Sequence, residues 1–404
     1  MKILTFSTLF PNRARSGHGI FVETRLQHLV AAGKVEARVV APVPWFPFGH
    51  ARFGQYASFA RAPSEEMRAG VSVLHPRYPV IPKIGMNVAP LLLASAVKPL
   101  IRRIIDEGYD FDLIDAHYFY PDGVAAAMLA KQFNKPLVIT ARGSDITVLP
   151  RYRRPKDLIL RAARQASGII TVCQALKDEL VRLGVDPERV TTLRNGVDLG
   201  LFQPVDRAGV RKQLDIEGFT LLSVGNLIPL KGHDLVINAL PQLPDVRLLV
   251  AGRGPERQTL ETLARTLRVA DRVRFLGVLP QAELRNFYGA ADALVLASSS
   301  EGWANVLLES MACGTPVVAS RVWGTPEVVA SPDAGVLMGE RSVQGVVRAV
   351  KQMRTAYPDR AATRRYAEQF SWDETTAGQM RLFRSIIEKT VGAMRPAFSN
   401  KYPA

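Results

Sequence analysis

The sequence predicts an α/β protein made of two doubly wound, Rossmann-like halves. Three observations predict it. Short apolar runs alternate with stretches of helical periodicity, the βα pattern of a parallel sheet. That pattern pauses at Asn195-Gly-Val-Asp198 and Phe202-Gln-Pro204 and then restarts. The 404 residues are also enough for two separate cores.

Taken in order, Lys2 to Ser7 reads as a strand, Pro11 to Gly19 as a loop rich in Arg and Gly, and Ile20 to Ala32 as a helix with apolar positions 22, 26, 29 and 30. Ala37 to Val43 is a strand, followed by an aromatic and proline-rich loop through about Ala69. Val71–Leu74, Leu113–His117, Leu137–Ala141, Gly168–Val172 and Val190–Leu193 complete the first set of strands, with helices such as Gly123–Gln132 and Ala175–Leu183 between them. The second set runs Phe219–Gly225, Val246–Ala251, Val273–Leu276, Asp292–Ala297 and Pro316–Ser320. Its helices are Asp234–Leu240, Glu256–Leu267, Gln281–Tyr288 and Asn305–Cys313. The expected domains are residues 1–200 and 205–372. A final helix, about 373–395, is placed to cross back to the first half, and Arg395–Ala404 reads as a loose tail.

Within the second set, Ser298 to Pro316 is a strand–loop–helix–strand unit, its helix stopped by Gly314 and Pro316. A loop at the carboxyl end of such a strand is where open α/β sheets bind ligands, and the helix N-terminus suits a phosphate. Glu301 lies in the loop; Asn305 and Glu309, four residues apart, share a helix face looking back toward it. The helix is apolar nearly all round, so Glu309 needs a partner such as a sugar hydroxyl, or else a solvated face.

A net charge of +15 points to an anionic partner: phosphate-bearing small molecules, acidic headgroups or nucleic acid. Cys173 and Cys313 lie in apolar runs and read as core residues of a reducing compartment. MKILTFST is an immediate strand rather than a leader, and the longest apolar run, near Val88–Val97, is too short to span a bilayer. The expected location is cytoplasmic, with an anionic membrane surface as a possible partner. Lys98, Arg102 and Arg103 beside Leu91–Leu93, and Arg151, Arg153, Arg154 and Lys156 around Tyr152, fit either an interfacial helix or a buried helix with a solvated basic end. Six scattered histidines and two distant cysteines give no metal spacing. Asp110-Phe-Asp112 has the spacing of a metal-binding Asp-x-Asp pair, but it precedes a strand, where two aspartates are usually solvated. Nothing resembles a Gly-x-Ser-x-Gly elbow or a Walker loop.

Eight segments together carry a family resemblance: SGHGIFVETRL (16–26), DAHYFYPDG (115–123), TARGSDI (140–146), LRNGVD (193–198), SVGNLIPLKGHD (223–234), AGRGPE (251–256), FLGVL (275–279) and EGWANVLLE (301–309). In that order, over nearly the whole length, the chain resembles the family-4 retaining glycosyltransferases (glycosyl transferases group 1). The resemblance implies the GT-B fold, two facing Rossmann-like domains with a cleft between them. It also implies a nucleotide-diphosphate sugar as co-substrate and no cofactor or metal.

The family match casts His117, Lys231 and Glu301 as catalytic, with His117 at the donor sugar, Lys231 at the diphosphate and Glu301 near the sugar. Gly17, Gly19, Asn226, Gly252, Gly254, Leu276, Val278, Gly302, Trp303, Asn305, Val306 and Glu309 are cast as donor-binding. Among them, Glu309 is expected at the ribose and Leu276–Val278 beside the base. Arg142 and Asp145 belong to the acceptor or sugar side, Arg142 departing from a histidine common in relatives. Asn226 stands where many relatives have an arginine, so Lys231 is left to oppose the leaving-group charge, with Arg253 or Arg194 as substitutes.

The function implied is transfer of a sugar to an acceptor hydroxyl with retention, the acceptor being a lipid-linked or glycan intermediate of an envelope polysaccharide or glycolipid. Two rivals are a nucleotide-sugar epimerase of the same fold and a non-enzymatic basic protein binding membrane or nucleic acid. The latter lacks an aromatic–basic platform or helix-turn-helix, so no nucleic acid is expected.

Overall fold

The computed structural model describes residues 1–81 and 85–394; the tail expected for Arg395–Ala404 lies outside the described residues. The chain divides into two compact units. The first holds Met1–Thr171, Lys177–Leu193 and the chain from Asp373; the second holds Val172–Leu176 and Arg194–Trp372.

Among the described residues the first unit has ten strands: β1 (Lys2–Phe6), β2 (Glu36–Val40), β3 (Val43–Pro44), β4 (Glu65–Arg68), β5 (Val71–Leu74), β6 (Arg77–Tyr78), β7 (Leu113–His117), β8 (Leu137–Ala141), β9 (Gly168–Thr171) and β10 (Val190–Thr192). Eight form one sheet in the order β10-β9-β8-β7-β1-β2-β5-β4, parallel but for β4. β3 and β6 make a separate parallel ribbon. The run from 44 to 69, read as loop, contains a helix, Gln55–Arg61, and the edge strand β4. β4 escapes sequence reading because Glu65, Glu66 and Arg68 carry no apolar alternation, which suits an edge rather than a sheet centre. Helix Ala89–Asp106 turns Pro90, Leu93, Ala94, Val97, Ile101 and Ile104 inward. Of the two readings of this stretch, the packing of these residues favours the buried helix with a solvated basic end.

Ile3, Val39, Val73, Leu113 and Val138 of the strands form one core with Val22, Leu26 and Leu29 of helix Ile20–Ala31 and with Met380, Phe383 and Ile386 of helix Trp372–Met394. Phe383 is fully buried, worth about 3 kcal/mol to that helix's docking.

The second unit has six parallel strands: β11 (Phe219–Val224), β12 (Val246–Ala251), β13 (Val273–Gly277), β14 (Ala293–Leu296), β15 (Val317–Ser320) and β16 (Gly335–Met338). Their order is β13-β12-β11-β14-β15-β16. The winding direction reverses between β11 and β14, and a doubly wound sheet opens its ligand crevice at such a switch point. In the first unit the corresponding reversal lies between β1 and β7. Among the described residues, no helix is long and apolar enough to cross a membrane.

Candidate active site

In the second unit the loops after β11 and β14 flank the switch point. Gly232, after Lys231, has φ +68°, and a Cβ there would lie 2.2 Å from the Ala297 carbonyl oxygen at the end of β14. The Ser299 N–H donates to the Leu230 carbonyl at 2.8 Å. These close approaches lock the two loops together, and Lys231 Nζ sits 2.6 Å from Glu301 Oε1, both side chains largely buried. His233 pins the loop from behind. Its Nε2–H donates to the Asn226 carbonyl at 3.3 Å and its Nδ1 meets the Ser223 hydroxyl at 2.9 Å. Burial pushes its pKa down to about 4, so the ring is neutral. The Asn226 side chain is exposed.

Gly252 and Gly254 serve chain-on-chain packing at the same sheet end. A Cβ on Gly252 would fall 1.8 Å from the Gly225 carbonyl oxygen, and one on Gly254 2.2 Å from that of Leu227. Leu276 is half-buried in β13 and Val278, just past it, is 60% exposed.

Helix Asn305–Ala312 begins at Ala304, with no side chain capping it. A Cβ on Gly324 would fall 2.2 Å from the Gly302 carbonyl oxygen, which leaves Gly302 held by a second loop. Trp303 is buried, packs on Phe370 with ring centroids 6.0 Å apart, and its Nε1 has no partner among the described residues. Asn305 Oδ1 accepts from Asn195 Nδ2 at 3.2 Å; Val306 is half-buried beside it. Glu309, one turn on, is half-buried, and Tyr288 donates to its Oε2 at 2.8 Å. Burial pushes the Glu309 carboxyl up to about 7, against the pull of the Tyr288 bond. Sequence reading missed Tyr288, which was visible only as one apolar position of a preceding helix.

In the first unit the loop after β1 turns at Gly19, whose φ of +70° and close approach to the Leu9 carbonyl exclude any side chain. Gly17 is exposed, with open space around it. His117 ends β7 as expected, but its ring is buried rather than presented to solvent. Nε2 lies 3.1 Å from Asp115 Oδ2 and Nδ1 2.6 Å from Arg142 Nη2. A carboxylate only accepts and a guanidinium only donates, so Nε2 carries the proton. Burial, reinforced by Arg142 and opposed by Asp115, pushes the ring down to about 4.

Asp115 also accepts from Gln379 Nε2 at 3.3 Å, and Gln379 Oε1 accepts from Arg25 Nε at 2.9 Å. Asp115 was legible, since residues two apart share a strand face. Gln379, 264 residues away, gave no signal.

Asp145 is fully buried and accepts from the N–H groups of Phe119, Arg142 and Gly143 at 2.7–3.2 Å, so it shapes the turn after β8. Asp122 is also missed by the sequence reading. It accepts from Ser7 and Thr8, and burial raises it to about 7.

Of the substitute cations, Arg194 is engaged with Glu327 at 2.8 Å, while Arg253 is exposed. Asp110 pairs with Lys135 at 2.5 Å and Asp112 Oδ2 accepts from the Lys2 N–H at 2.7 Å, so both aspartates serve the first unit's own packing.

Residues 15–201 match the family described as Glycosyltransferase Family 4, and residues 206–370 the family described as Glycosyl transferases group 1. The D-inositol 3-phosphate glycosyltransferase of Frankia alni is 32% identical over 82% of this chain and 88% of its own. The putative teichuronic acid biosynthesis glycosyltransferase TuaC of Bacillus subtilis is 29% identical over 87% of this chain and 88% of its own. Among solved structures, sucrose-phosphate synthase from Thermosynechococcus elongatus superimposes with a TM-score of 0.80 at 21% identity, covering 96% of this chain and 99% of that one. Anabaena HepE, solved in complex with UDP-glucose, gives 0.70 at 21% identity over 98% and 100%.

Fold and sequence together define a glycosyltransferase of the GT-B class. The chain belongs to glycosyltransferase family 4 and is an enzyme that transfers a sugar.

Proposed function

We propose that the enzyme moves a sugar from a nucleoside-diphosphate sugar to an acceptor hydroxyl with retention at the anomeric carbon. The observation that carries this reading is the Lys231–Glu301 pair, 2.6 Å apart at the switch point of the second sheet. In the transfer, the bond from the anomeric carbon to the β-phosphate oxygen breaks while the acceptor oxygen bonds to that carbon on the same face. The acceptor's proton passes to the departing phosphate, whose growing charge Lys231 opposes. Glu301 holds Lys231 in place until a diphosphate shares it, and then faces the sugar. Glu309, steadied by Tyr288, takes the ribose hydroxyls. Leu276 and Val278 lie beside the base. The N–H groups from Gly302 through Val306 take phosphate and sugar oxygens.

On the first unit, His117 is a neutral ring whose orientation Asp115 and Arg142 fix. It meets the donor sugar through its ring edge and through the Arg142 guanidinium beside it. Gly17 and Gly19 let their loop approach the donor backbone-first, and Asp145 acts by shaping the turn that carries Arg142.

The acceptor is a lipid-linked or glycan intermediate of envelope polysaccharide or glycolipid synthesis. The name of a relative in teichuronic acid synthesis supports this class. A cytoplasmic location is supported by Cys173 and Cys313, both buried and unbridged.

Thermal melts with UDP, GDP, ADP and their sugars test the donor, because a ligand bound to the folded chain raises its melting point by mass action. Product analysis with one nucleotide sugar, with and without acceptor, tests the reaction. An epimerised nucleotide sugar without acceptor would replace this reading with the epimerase.

A further inference from the structure

We propose that the first unit carries a docking surface for an anionic lipid bilayer, centred on the aromatic segment from Trp45 to Phe59. Large aromatic side chains normally sit inside a fold. Here Trp45 is 60% exposed, Phe48 54% and Tyr56 52%. The rings are ordered against one another. Phe46 lies 5.5 Å from both Phe53 and Tyr56, and Phe48 stacks on Phe53 at 5.3 Å with 19° between planes. The cluster is a formed surface rather than loose chain.

The surface extends beyond this segment. The β3–β6 ribbon and the Trp45 N–H, which donates to the Tyr78 carbonyl at 2.8 Å, tie Trp45 to the strand leading to exposed Val80 and Ile81. Met86 follows in the turn Gly85–Asn87, which packs against helix Arg153–Gln165. Tyr152, 51% exposed, stands at the start of that helix with Arg151, Arg153 and Arg154 exposed around it. The basic cluster therefore adjoins the apolar surface, while the stripe of helix Ala89–Asp106 belongs to the core.

Charge decides the occupant. Residues 41–107 contain eight Lys or Arg and four acidic residues, with Arg68 paired to Glu23 and Arg103 to Glu107. Glu66 is buried against His75 and paired with Arg13. Arg52 lies 4.8 Å from the Phe53 ring and Arg15 5.3 Å from that of Phe59. A second copy of the chain would bring the same cations to the contact and repel it. An anionic bilayer offers phosphates to the arginines, an acyl boundary to Phe48, and the headgroup level that Trp and Tyr favour.

The proposal concerns binding and is independent of the donor assignment, so its test reads no activity. The full chain is floated with vesicles of phosphatidylcholine alone, or with one lipid in three replaced by anionic phosphatidylglycerol. Flotation with the anionic vesicles only, weakened by added salt, is expected. Trp303 and Trp372 are buried and Trp323 is half-buried, so a blue shift on binding comes chiefly from Trp45 and disappears in Trp45→Phe. Replacing Arg151, Arg153 and Arg154 together by Ala should weaken partitioning roughly a hundredfold. Trp45→Ser with Phe48→Ser and Tyr56→Ser should release the protein. The arginine variant keeps the test sound if the aromatic one misfolds. Equal binding to neutral vesicles, no binding to either, or full binding by a folded aromatic variant would overturn the proposal. So would a dimer in sedimentation that the aromatic variant abolishes, which would assign the surface to a second copy of the chain.

Discussion

Lys231 Nζ and Glu301 Oε1 stand 2.6 Å apart although seventy residues separate them in the chain. The contact exists because Gly232 lets one loop lie on the end of β14, the strand that leads into the other. It gives the site one cation held by one carboxylate, with Asn226 adding none.

Lys231→Ala should lower turnover at saturating donor by about 10²–10³, the usual cost of losing a preorganised charge aimed at a leaving group. Arg253→Ala and Arg194→Ala should cost much less, and Arg194→Ala should act mainly through its lost pairing with Glu327. Steady-state kinetics of the three variants decide the matter. Near-normal turnover in Lys231→Ala with loss in Arg253→Ala would move the phosphate role to Arg253.

Glu309→Ala should weaken nucleotide binding by roughly 1.5–3 kcal/mol, the worth of a hydrogen bond to a charged group. Calorimetric titration of the folded variant with the nucleotide found in the melts gives the number. An unchanged dissociation constant would remove Glu309 from the ribose.

The Glu309 carboxyl, ordinarily near 4.5, is held up at about 7 by burial. The folded chain therefore keeps a proton that the unfolded chain has lost, and folding takes up protons between those values. This group's contribution to stability is intact below about pH 4.5 and falls as pH rises through about 7, by on the order of 3 kcal/mol. Asp122, also raised to about 7, acts in the same direction. Glu309→Gln should gain stability relative to the parent from pH 5 to pH 8 in denaturant melts. Parallel pH curves for the two proteins would contradict the buried-carboxyl reading.

Gly252→Ala should destabilise the second unit by about 3 kcal/mol or more, since φ is +146° and the new Cβ would lie on the Gly225 carbonyl oxygen. Gly17→Ala meets open space and should be close to neutral. Comparing the two melting temperatures separates a packing role for these glycines from a purely ligand-facing one.

Asp110→Asn and Asp112→Asn should leave turnover near the parent's and lower stability modestly, because the two side chains hold Lys135 and the Lys2 N–H. Turnover should also persist in EDTA. Loss restored by magnesium or manganese would return both aspartates to the chemistry.

The sequence by itself determined the two doubly wound sheets, because buried parallel strands must be continuous apolar runs and their glycine-marked ends are readable. It also determined where the loops at the strand ends start, and Asn305 and Glu309 fell on the helix that the spacing predicted, with Glu301 in the loop before it. Only the tertiary structure decided who faces whom. Tyr288 against Glu309, Arg142 beside His117, and Gln379 behind Asp115 join residues 21 to 264 positions apart. Such pairings follow from sheet order and helix packing, and no local pattern encodes them. The same limit hid the surface of residues 45–59. The sequence reads this stretch as an aromatic and proline-rich loop, and only the packed fold shows Trp45, Phe48 and Tyr56 exposed.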